Sequence, residues 1–164
     1  MKKEMTEHEA YLQLAALCAR SEHCRYEMQE KMRRWELDEI VQNRILTRLE
    51  EERYIDEERF ARAFVIDKIR YNKWGRRKVQ QALWQKRISD DIQQQVLDEI
   101  DEKEYLQVLR PLLQQKRKTT KAANDYELNQ KLARFALSRG FTFDLIRQCL
   151  NVEDIESLGE SEDD

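Results

Sequence analysis

Glycine and proline are scarce in this chain, which has three Gly and one Pro among its 164 residues. A turn-rich β protein needs many more of both, because tight turns use the conformations that these two residues favour. No stretch sustains the alternation of apolar and polar residues that marks a strand. With 38% charged residues, the chain favours short amphipathic helices, and we predict an all-α fold.

Long apolar runs are missing too, and none approaches the ~20 residues that a membrane-spanning helix requires. The chain begins Met-Lys-Lys-Glu-Met, and no apolar segment of a secretory signal follows. Its three cysteines are odd in number and lack the spacing of a disulfide framework. We therefore expect a reducing, cytoplasmic location and no membrane partner.

Signatures of catalysis are also missing from the sequence. It has no phosphate-cradling glycine loop, no nucleophile elbow and no HExxH motif. His8, Cys18, His23 and Cys24 are of metal-ligand type, but their spacing is not that of a zinc motif. We predict no catalytic residue, metal, cofactor or small-molecule substrate. A metal-dependent nuclease stays open as the weakest alternative, because a sequence does not show which carboxylates converge.

What the chain does have is an internal repeat of its apolar skeleton. Two stretches match at a constant offset of 51 residues, and a third copy becomes visible when an insertion of four residues is allowed within it, around residues 135–140. The offset pairs Met28 with Val79, Met32 with Leu83, Leu37 with Ile88, Ile45 with Val96 and Leu49 with Ile100. Such a period predicts stacked modules that share a core.

Each copy has the apolar spacing of three amphipathic helices. Asp38, Ser89 and Thr142 fall at one aligned position, just before the last helix of each copy, where a short polar side chain can cap a helix. Thr6 and Glu9 have the spacing of a capping box at the start of the first helix. We place three repeats at residues 1–54, 55–101 and 102–152, and predict an elongated, curved arrangement.

The charge is unevenly distributed along the chain. The formal net charge is −3, but residues 153–164 hold seven acidic residues and no basic one, which leaves 26 acidic against 30 basic residues elsewhere. We predict that residues 153–164 form a disordered acidic tail. We also expect this tail to compete with a polyanion for the basic face of the body.

One stretch, residues 68–87, concentrates positive charge and aromatic rings. It holds eight basic residues and no acidic one, with Tyr71, Trp74 and Trp84 among them. Basic groups displace counterions from phosphates and aromatic rings stack on bases, and a helix that starts after Gly75 would add N–H groups for an anion. The stretch indicates an anionic partner, either a nucleic acid or an acidic protein groove. Trp84 adjoins Leu83, so a place in the core stays open for it.

A second basic stretch, residues 110–121, has five basic residues and again no acidic one. It is read either as part of the same binding surface or as a solvated connector between helices. In the first repeat, Arg25 and Lys31 lie on one predicted helix, where Glu27 and Glu30 offset their charge.

Several of these residues occur in motifs that resemble the RecX family, bacterial regulators of the RecA recombinase. Residues 19–28 (ARSEHCRYEM) resemble the first-repeat signature of that family, with Cys24 where Ser is usual at a helix cap. Residues 54–61 (YIDEERFA) resemble its most distinctive stretch, and residues 131–135 (KLARF) with 139–141 (RGF) resemble its third-repeat signature. The three motifs occur in the family order, and the match spans about residues 20–150, which is nearly the whole body of the chain.

The resemblance implies three tandem three-helix units and a protein that is not an enzyme. It implies binding along the groove of the RecA filament on single-stranded DNA, with loss of RecA ATPase, strand exchange and coprotease activity. The expected role therefore lies in homologous recombination, DNA repair and the SOS response, and we expect a monomer. A stand-alone helical nucleic-acid-binding module stays open as the alternative.

The basic stretches and the family motifs together define a predicted binding surface for RecA or DNA. Its members are Arg20, Arg25, Lys31, Arg62, Lys68, Arg70, Lys73, Trp74, Arg76, Arg77, Lys78, Lys86, Arg87, Lys116, Arg117, Lys118 and Lys121.

Overall fold

A computed structural model describes residues 4–159, and within that range the regular secondary structure is all helical, with no strand. The all-α prediction is confirmed. The ten helices are α1 (Glu7–Arg20), α2 (Arg25–Arg34), α3 (Glu39–Glu51), α4 (Glu57–Arg70), α5 (Arg76–Gln85), α6 (Asp90–Asp98), α7 (Glu102–Thr119), α8 (Asp125–Ser138), α9 (Phe143–Ile146) and α10 (Val152–Gly159).

Side-chain caps set the starts of several helices. Thr6 and Glu9 form the predicted capping box of α1: Thr6 Oγ1 accepts from the Glu9 N–H at 3.1 Å, and Glu9 Oε2 accepts from the Thr6 N–H at 3.3 Å. The predicted caps Asp38, Ser89 and Thr142 all directly precede a helix. Ser89 Oγ accepts from the Ile92 N–H at 3.4 Å, whereas the side chains of Asp38 and Thr142 accept no capping hydrogen bond.

The second helix of each repeat ends in the same way. Glu36, Arg87 and Gly140 follow α2, α5 and α8 with φ of 57°, 58° and 92°, in the left-handed region. In each turn this residue donates its N–H to the carbonyl three positions back, and the next residue donates to the carbonyl five positions back. This is the backbone pattern of a helix that stops at a left-handed residue. The same turn recurs at offsets of 51 and then 53 residues. The backbone conformation therefore shows the same repeat as the apolar pattern.

Two buried amides brace the turns of the first two repeats. Gln42 Nε2 donates to the Leu37 carbonyl and Gln93 Nε2 to the Ile88 carbonyl, both at 2.8 Å. The pairs lie one repeat apart and satisfy a carbonyl that would otherwise be buried without a partner. The third repeat has the fully buried Ile146 at the equivalent position.

The described chain divides into two compact units. The first unit comprises the residues up to Phe64 together with Leu83–Gln93, and the second comprises Val65–Ala82 together with the residues from Gln94 onward. In the first unit, α3 packs on α1 and α2; in the second, α8 packs on α7, α9 and α10. The boundaries of the three predicted repeats stay a prediction.

The predicted disordered tail is wrong for residues 153–159, which lie in α10. Ile155 is fully buried, Asn129 Nδ2 donates to Asp154 Oδ2 at 2.7 Å, and α10 packs against α8. Burial of this branched side chain, together with the hydrogen bond, fixes the acidic helix on the second unit. Residues 160–164 of the predicted tail lie outside the described residues.

The last helix of the third repeat, α9, is only four residues long. After Ile146, the N–H groups of Gln148 and Cys149 bond to carbonyls three positions back, so the chain tightens into a turn and α9 ends. Among the described residues, no helix combines the length and the apolar character that a bilayer span demands.

Candidate functional site

In the second unit, Trp74 lies beneath two lysines. Lys78 Nζ is 4.8 Å and Lys68 Nζ 5.4 Å from the centroid of the Trp74 ring. The loop that carries Trp74 is folded by the left-handed Lys73, with φ of 58°, and by a 3.2 Å hydrogen bond from the Trp74 N–H to the Lys68 carbonyl. We call Lys68, Trp74 and Lys78 the Trp74 cluster. Both lysines are attracted to the ring by cation–π interaction, and this contact leaves the N–H groups of Lys78 available to an anion.

A second cluster of the same kind lies between α7 and α8. Lys116 Nζ is 4.8 Å and Arg139 Cζ 5.1 Å from the centroid of the Phe135 ring. We call these three residues the Phe135 cluster. They line a groove of about 450 Å³, to which Lys118 and Thr119 also contribute. The titratable residues that line this groove are all basic.

Backbone hydrogen bonds join the loops that carry the two clusters. The Gly75 N–H donates to the Arg139 carbonyl at 2.8 Å, and the Arg77 N–H to the Gly140 carbonyl at 3.1 Å. Arg139 Nη1 donates in turn to the Asn72 carbonyl at 3.4 Å. The two clusters are therefore joined within the second unit, through the backbone next to Trp74 and Arg139.

Glycine is required on both sides of the hydrogen-bonded contact between these two loops, which we call the Gly75–Gly140 junction. A Cβ on Gly75 would lie 2.4 Å from Phe141 Cα, and a Cβ on Gly140 would lie 2.4 Å from Lys78 Cβ. Both contacts are shorter than any normal carbon–carbon approach, and Lys78 belongs to the Trp74 cluster. Substitution at either glycine would therefore push the two loops apart.

Three cations of the two clusters are free of internal ion pairs among the described residues. Lys78, Lys116 and Arg139 make no ion pair with a carboxylate of residues 4–159. An anion could therefore bind them without breaking an internal salt bridge, which lowers the cost of binding.

Two other predicted cations of the second unit are tied to the protein. Arg76 Nη2 lies 2.8 Å from Asp98 Oδ1, and Arg76 Nη1 donates to the Leu97 carbonyl at 3.3 Å. The Arg76 guanidinium holds the pKa of the Asp98 carboxyl below its usual range. Arg117 Nη2 donates to Asn129 Oδ1 at 3.1 Å. Both arginines stabilise the unit, and Arg76 is partly buried.

In the first unit, three of the predicted cations are paired with carboxylates. Lys86 Nζ lies 3.2 Å from Glu27 Oε2, Arg62 lies 2.8 Å from Glu58, and Arg25 is paired with Glu50. Burial alone would raise the pKa of Glu27, but the Cys24 N–H and Lys86 outweigh it and lower that pKa. These cations therefore contribute to the electrostatic balance of the unit more than to an open basic surface.

The remaining predicted residues are placed as follows. Six are exposed, namely Arg20, Arg70, Lys73, Arg77, Lys118 and Lys121, and Lys31 is half-buried. Arg87 is exposed and lies over the ring of Tyr26, with its Cζ 4.8 Å from the centroid. Trp84, for which a core position was open, is 70% exposed.

Sequence reasoning missed Phe135 and Arg139 as site residues. Both were used only as parts of a family motif, and neither lies in a dense basic stretch. One signal was available: Arg139 precedes Gly140, the glycine at the turn position that the repeat marks. Tyr26 was missed because a single tyrosine on a helix carries no sequence signal.

Among residues 4–159, no three or more His, Cys, Asp or Glu side chains come together as a metal site would need. Burial raises the pKa of the Cys18 thiol to about 11 and that of Cys24 to about 12. Both thiols are therefore protonated at neutral pH, the form that is a poor nucleophile and a poor metal ligand.

Two protein-family models match the chain. The model for the second three-helix domain of RecX matches residues 56–97, and the model for the third three-helix domain matches residues 102–150. The first range covers α4, α5 and all but the last residue of α6, and the second covers α7 to α9.

Several regulatory proteins RecX are similar to this chain. That of Clostridium perfringens strain SM101 is 29% identical over 136 residues, which are 79% of this chain and 63% of the relative. That of Vibrio parahaemolyticus is 28% identical over 138 residues, 84% of this chain and 87% of the relative. The chain thus spans less than two thirds of the clostridial protein and most of the Vibrio one.

Solved structures share the fold at low sequence identity. The crystal structure of RecX from Lactobacillus salivarius matches with a TM-score of 0.76 and 19% identity, over 93% of this chain and 96% of that one. A second crystal structure, of a regulatory protein RecX, matches with a TM-score of 0.81 and 17% identity, over 87% of this chain and 72% of that one. From the two domain models, the similar relatives and the shared fold, we conclude that the chain belongs to the RecX family of regulatory proteins.

Proposed function

We propose that this protein is a non-catalytic regulator that binds the RecA filament on single-stranded DNA in the cytoplasm. Bound there, it lowers RecA ATPase, strand exchange and coprotease activity. Membership of the RecX family supports a regulatory role, and the resemblance of the sequence motifs supports RecA as the target. The protein acts as a monomer in this proposal.

The observation that carries the proposal is the pair of cation–aromatic clusters in the second unit. Lys78, Lys116 and Arg139 are on its surface without a carboxylate partner among the described residues, and the loops of their clusters are joined at the Gly75–Gly140 junction. A polyanion that binds them releases counterions, so the binding free energy has a large entropic and salt-dependent part.

A filament suits this surface better than naked DNA does. The whole chain has a formal net charge of −3, so long-range attraction to free nucleic acid is weak. A filament presents many copies of the same site close together, and several modest contacts can then add through effective concentration.

The test is RecA ATPase on single-stranded DNA with increasing amounts of protein. We compare wild type with Lys78→Gln/Lys116→Gln, which removes one cation from each cluster and keeps the side-chain stems. Lys103→Gln/Arg134→Gln is the matched control, since both residues are exposed on α7 and α8 outside the clusters. We expect the first variant to need on the order of 3- to 10-fold more protein for half inhibition, and its log–log salt slope to fall by about two.

The possible outcomes distinguish an error in the proposed function from an error in the assigned binding surface. If wild type leaves the ATPase unchanged, the proposed function is wrong. If the double variant inhibits as well as wild type, the function stands and the assignment of the surface is wrong. Tight binding of wild type to naked DNA at physiological salt, without an effect on RecA, would favour the stand-alone nucleic-acid-binding module.

A further inference from the structure

The largest apolar side chain on the surface of the first unit is that of Trp84. It lies near the end of α5 and is 70% exposed, whereas its neighbour Leu83 is fully buried. Exposure of a tryptophan costs hydrophobic free energy that a soluble protein normally avoids. Its position is therefore informative about a partner.

Trp84 borders a groove of about 760 Å³ whose other aromatic residue is Tyr26. Arg87 has left-handed φ of 58°, and its N–H donates to the Trp84 carbonyl at 2.9 Å, which turns the chain back beside the tryptophan. The Arg87 guanidinium is then held over Tyr26 at 4.8 Å. The buried Ile88 also lines the groove. The groove is thus preformed, and its arginine is already oriented.

The charge of this groove is mixed, unlike that of the two clusters in the second unit. Arg87 supplies a cation, and Asp90, which also lines the groove, supplies a carboxylate. Asp91, next in the chain, is exposed as well. Carboxylates repel phosphates, so a nucleic-acid strand is disfavoured here. Tryptophan, tyrosine and arginine are the residue types that dominate the binding energy of protein–protein interfaces.

We propose that the groove of Tyr26, Trp84 and Arg87 docks a protein segment of the RecA filament rather than its DNA. An apolar side chain of the segment packs on Trp84, a carboxylate pairs with Arg87 and a basic group faces Asp90. This inference rests on the proposed function and adds a second, protein-specific contact to it. The clusters around Trp74 and Phe135 supply the salt-dependent part of binding, and the Trp84 groove supplies the part that depends on apolar burial.

The test measures fluorescence anisotropy of a labelled single-stranded oligonucleotide, naked and coated with RecA, over a range of salt concentrations. We compare wild type with Trp84→Ala and Trp84→Phe. Ile40→Ala is the matched control, since Ile40 is a 65% exposed apolar residue outside the groove. We expect Trp84→Ala to weaken filament binding by about 30-fold, which is typical of a truncated interface tryptophan. Binding to the naked oligonucleotide and the salt slope should not change, and Trp84→Phe should recover part of the loss.

Each other result overturns the proposal in a distinct way. Equal filament binding by wild type and Trp84→Ala shows that the groove has no role while the proposed function stands. An equal loss of naked-oligonucleotide binding shows that Trp84 stacks on bases, so the contact is with nucleic acid. If wild type does not bind the filament at all, both the proposed function and the docking contact are wrong. Far-ultraviolet circular dichroism of each variant is the control that checks that its helical content equals that of wild type.

Discussion

Glu36 and Arg87 hold the same left-handed backbone conformation, with φ of 57° and 58°, although they are 51 residues apart in the chain. Gly140 takes the equivalent place in the third repeat, with φ of 92°. A side chain in this conformation is strained, and only glycine adopts it freely. Two of the three turns therefore retain strain that the third avoids.

We predict that Glu36→Gly raises the free energy of unfolding by about 0.5–1 kcal/mol. The gain is the relief of left-handed strain less the larger entropy that glycine has in the unfolded chain. Urea denaturation followed by circular dichroism measures it. Glu39→Gly in the first turn of α3 is the control and should lower stability by about 1 kcal/mol. A loss of stability in Glu36→Gly would contradict the strain argument.

Gly140→Ala should lower the free energy of unfolding by about 2–4 kcal/mol. The new methyl group adds left-handed strain and lies 2.5 Å from the backbone nitrogen of Lys78, where little can move. Gly159→Ala is the matched control, because the nearest neighbours of its methyl group would be ring atoms of Phe143, and a side-chain ring can shift where backbone cannot. We expect a smaller loss there, below about 1 kcal/mol. Equal losses in the two variants, measured by urea denaturation, would argue against a rigid junction.

Glu57 makes stability depend on pH in an unusual direction. Burial raises the pKa of its carboxyl, and Glu50 and Glu27 add to the rise, although the Arg25 N–H donates to Glu57 Oε1 at 2.6 Å. A folded-state pKa above the unfolded value means that this group destabilises the protein once the pH has risen through the folded pKa.

We therefore predict that Glu57→Gln is more stable than wild type at pH 7, and that this advantage disappears near pH 4, where the wild-type carboxyl is also protonated. Urea denaturation at the two pH values measures the difference. Glu51→Gln, at the exposed end of α3, serves as the control and should show no such gain at pH 7. Identical pH dependence of wild type and Glu57→Gln would refute the assignment.

The contribution of Ile155 to the packing of the acidic helix α10 is measured by its replacement with alanine. Ile155→Ala should cost about 2–4 kcal/mol of unfolding free energy, because Ile155 is fully buried. Ile40→Ala, at a site that is 65% exposed, should change stability by less than about 0.5 kcal/mol. Similar values for the two would show that α10 is not part of the folded unit. Since α10 packs on α8, deletion of residues 153–164 would disturb the fold as well as remove charge.

Much of the fold could be predicted from the sequence, because hydrophobic periodicity reports directly on helices. The offset between Met28 and Val79 located equivalent helices, and Asp38 and Ser89 marked the starts of α3 and α6. Helix α10 was missed because its segment is rich in acidic residues and Ile155 is its one fully buried side chain. Composition indicates how much apolar surface a segment has, but it does not show where that surface packs.

The candidate site was predicted in part. The basic stretches were visible, but the sequence did not reveal which cations pair with distant carboxylates, as Lys86 does with Glu27 and Arg76 with Asp98. Nor could it show that Arg139 reaches the loop of Asn72. These partners are separated by 22 to 67 residues, and only folding brings them together.

The turns at Glu36, Arg87 and Gly140 are closed by main-chain N–H and carbonyl groups, which every amino acid except proline provides in full. Mutation can therefore replace most side chains in such a chain while its architecture is inherited unchanged. This tolerance accounts for a Lactobacillus salivarius homologue that keeps the fold with fewer than one residue in five in common.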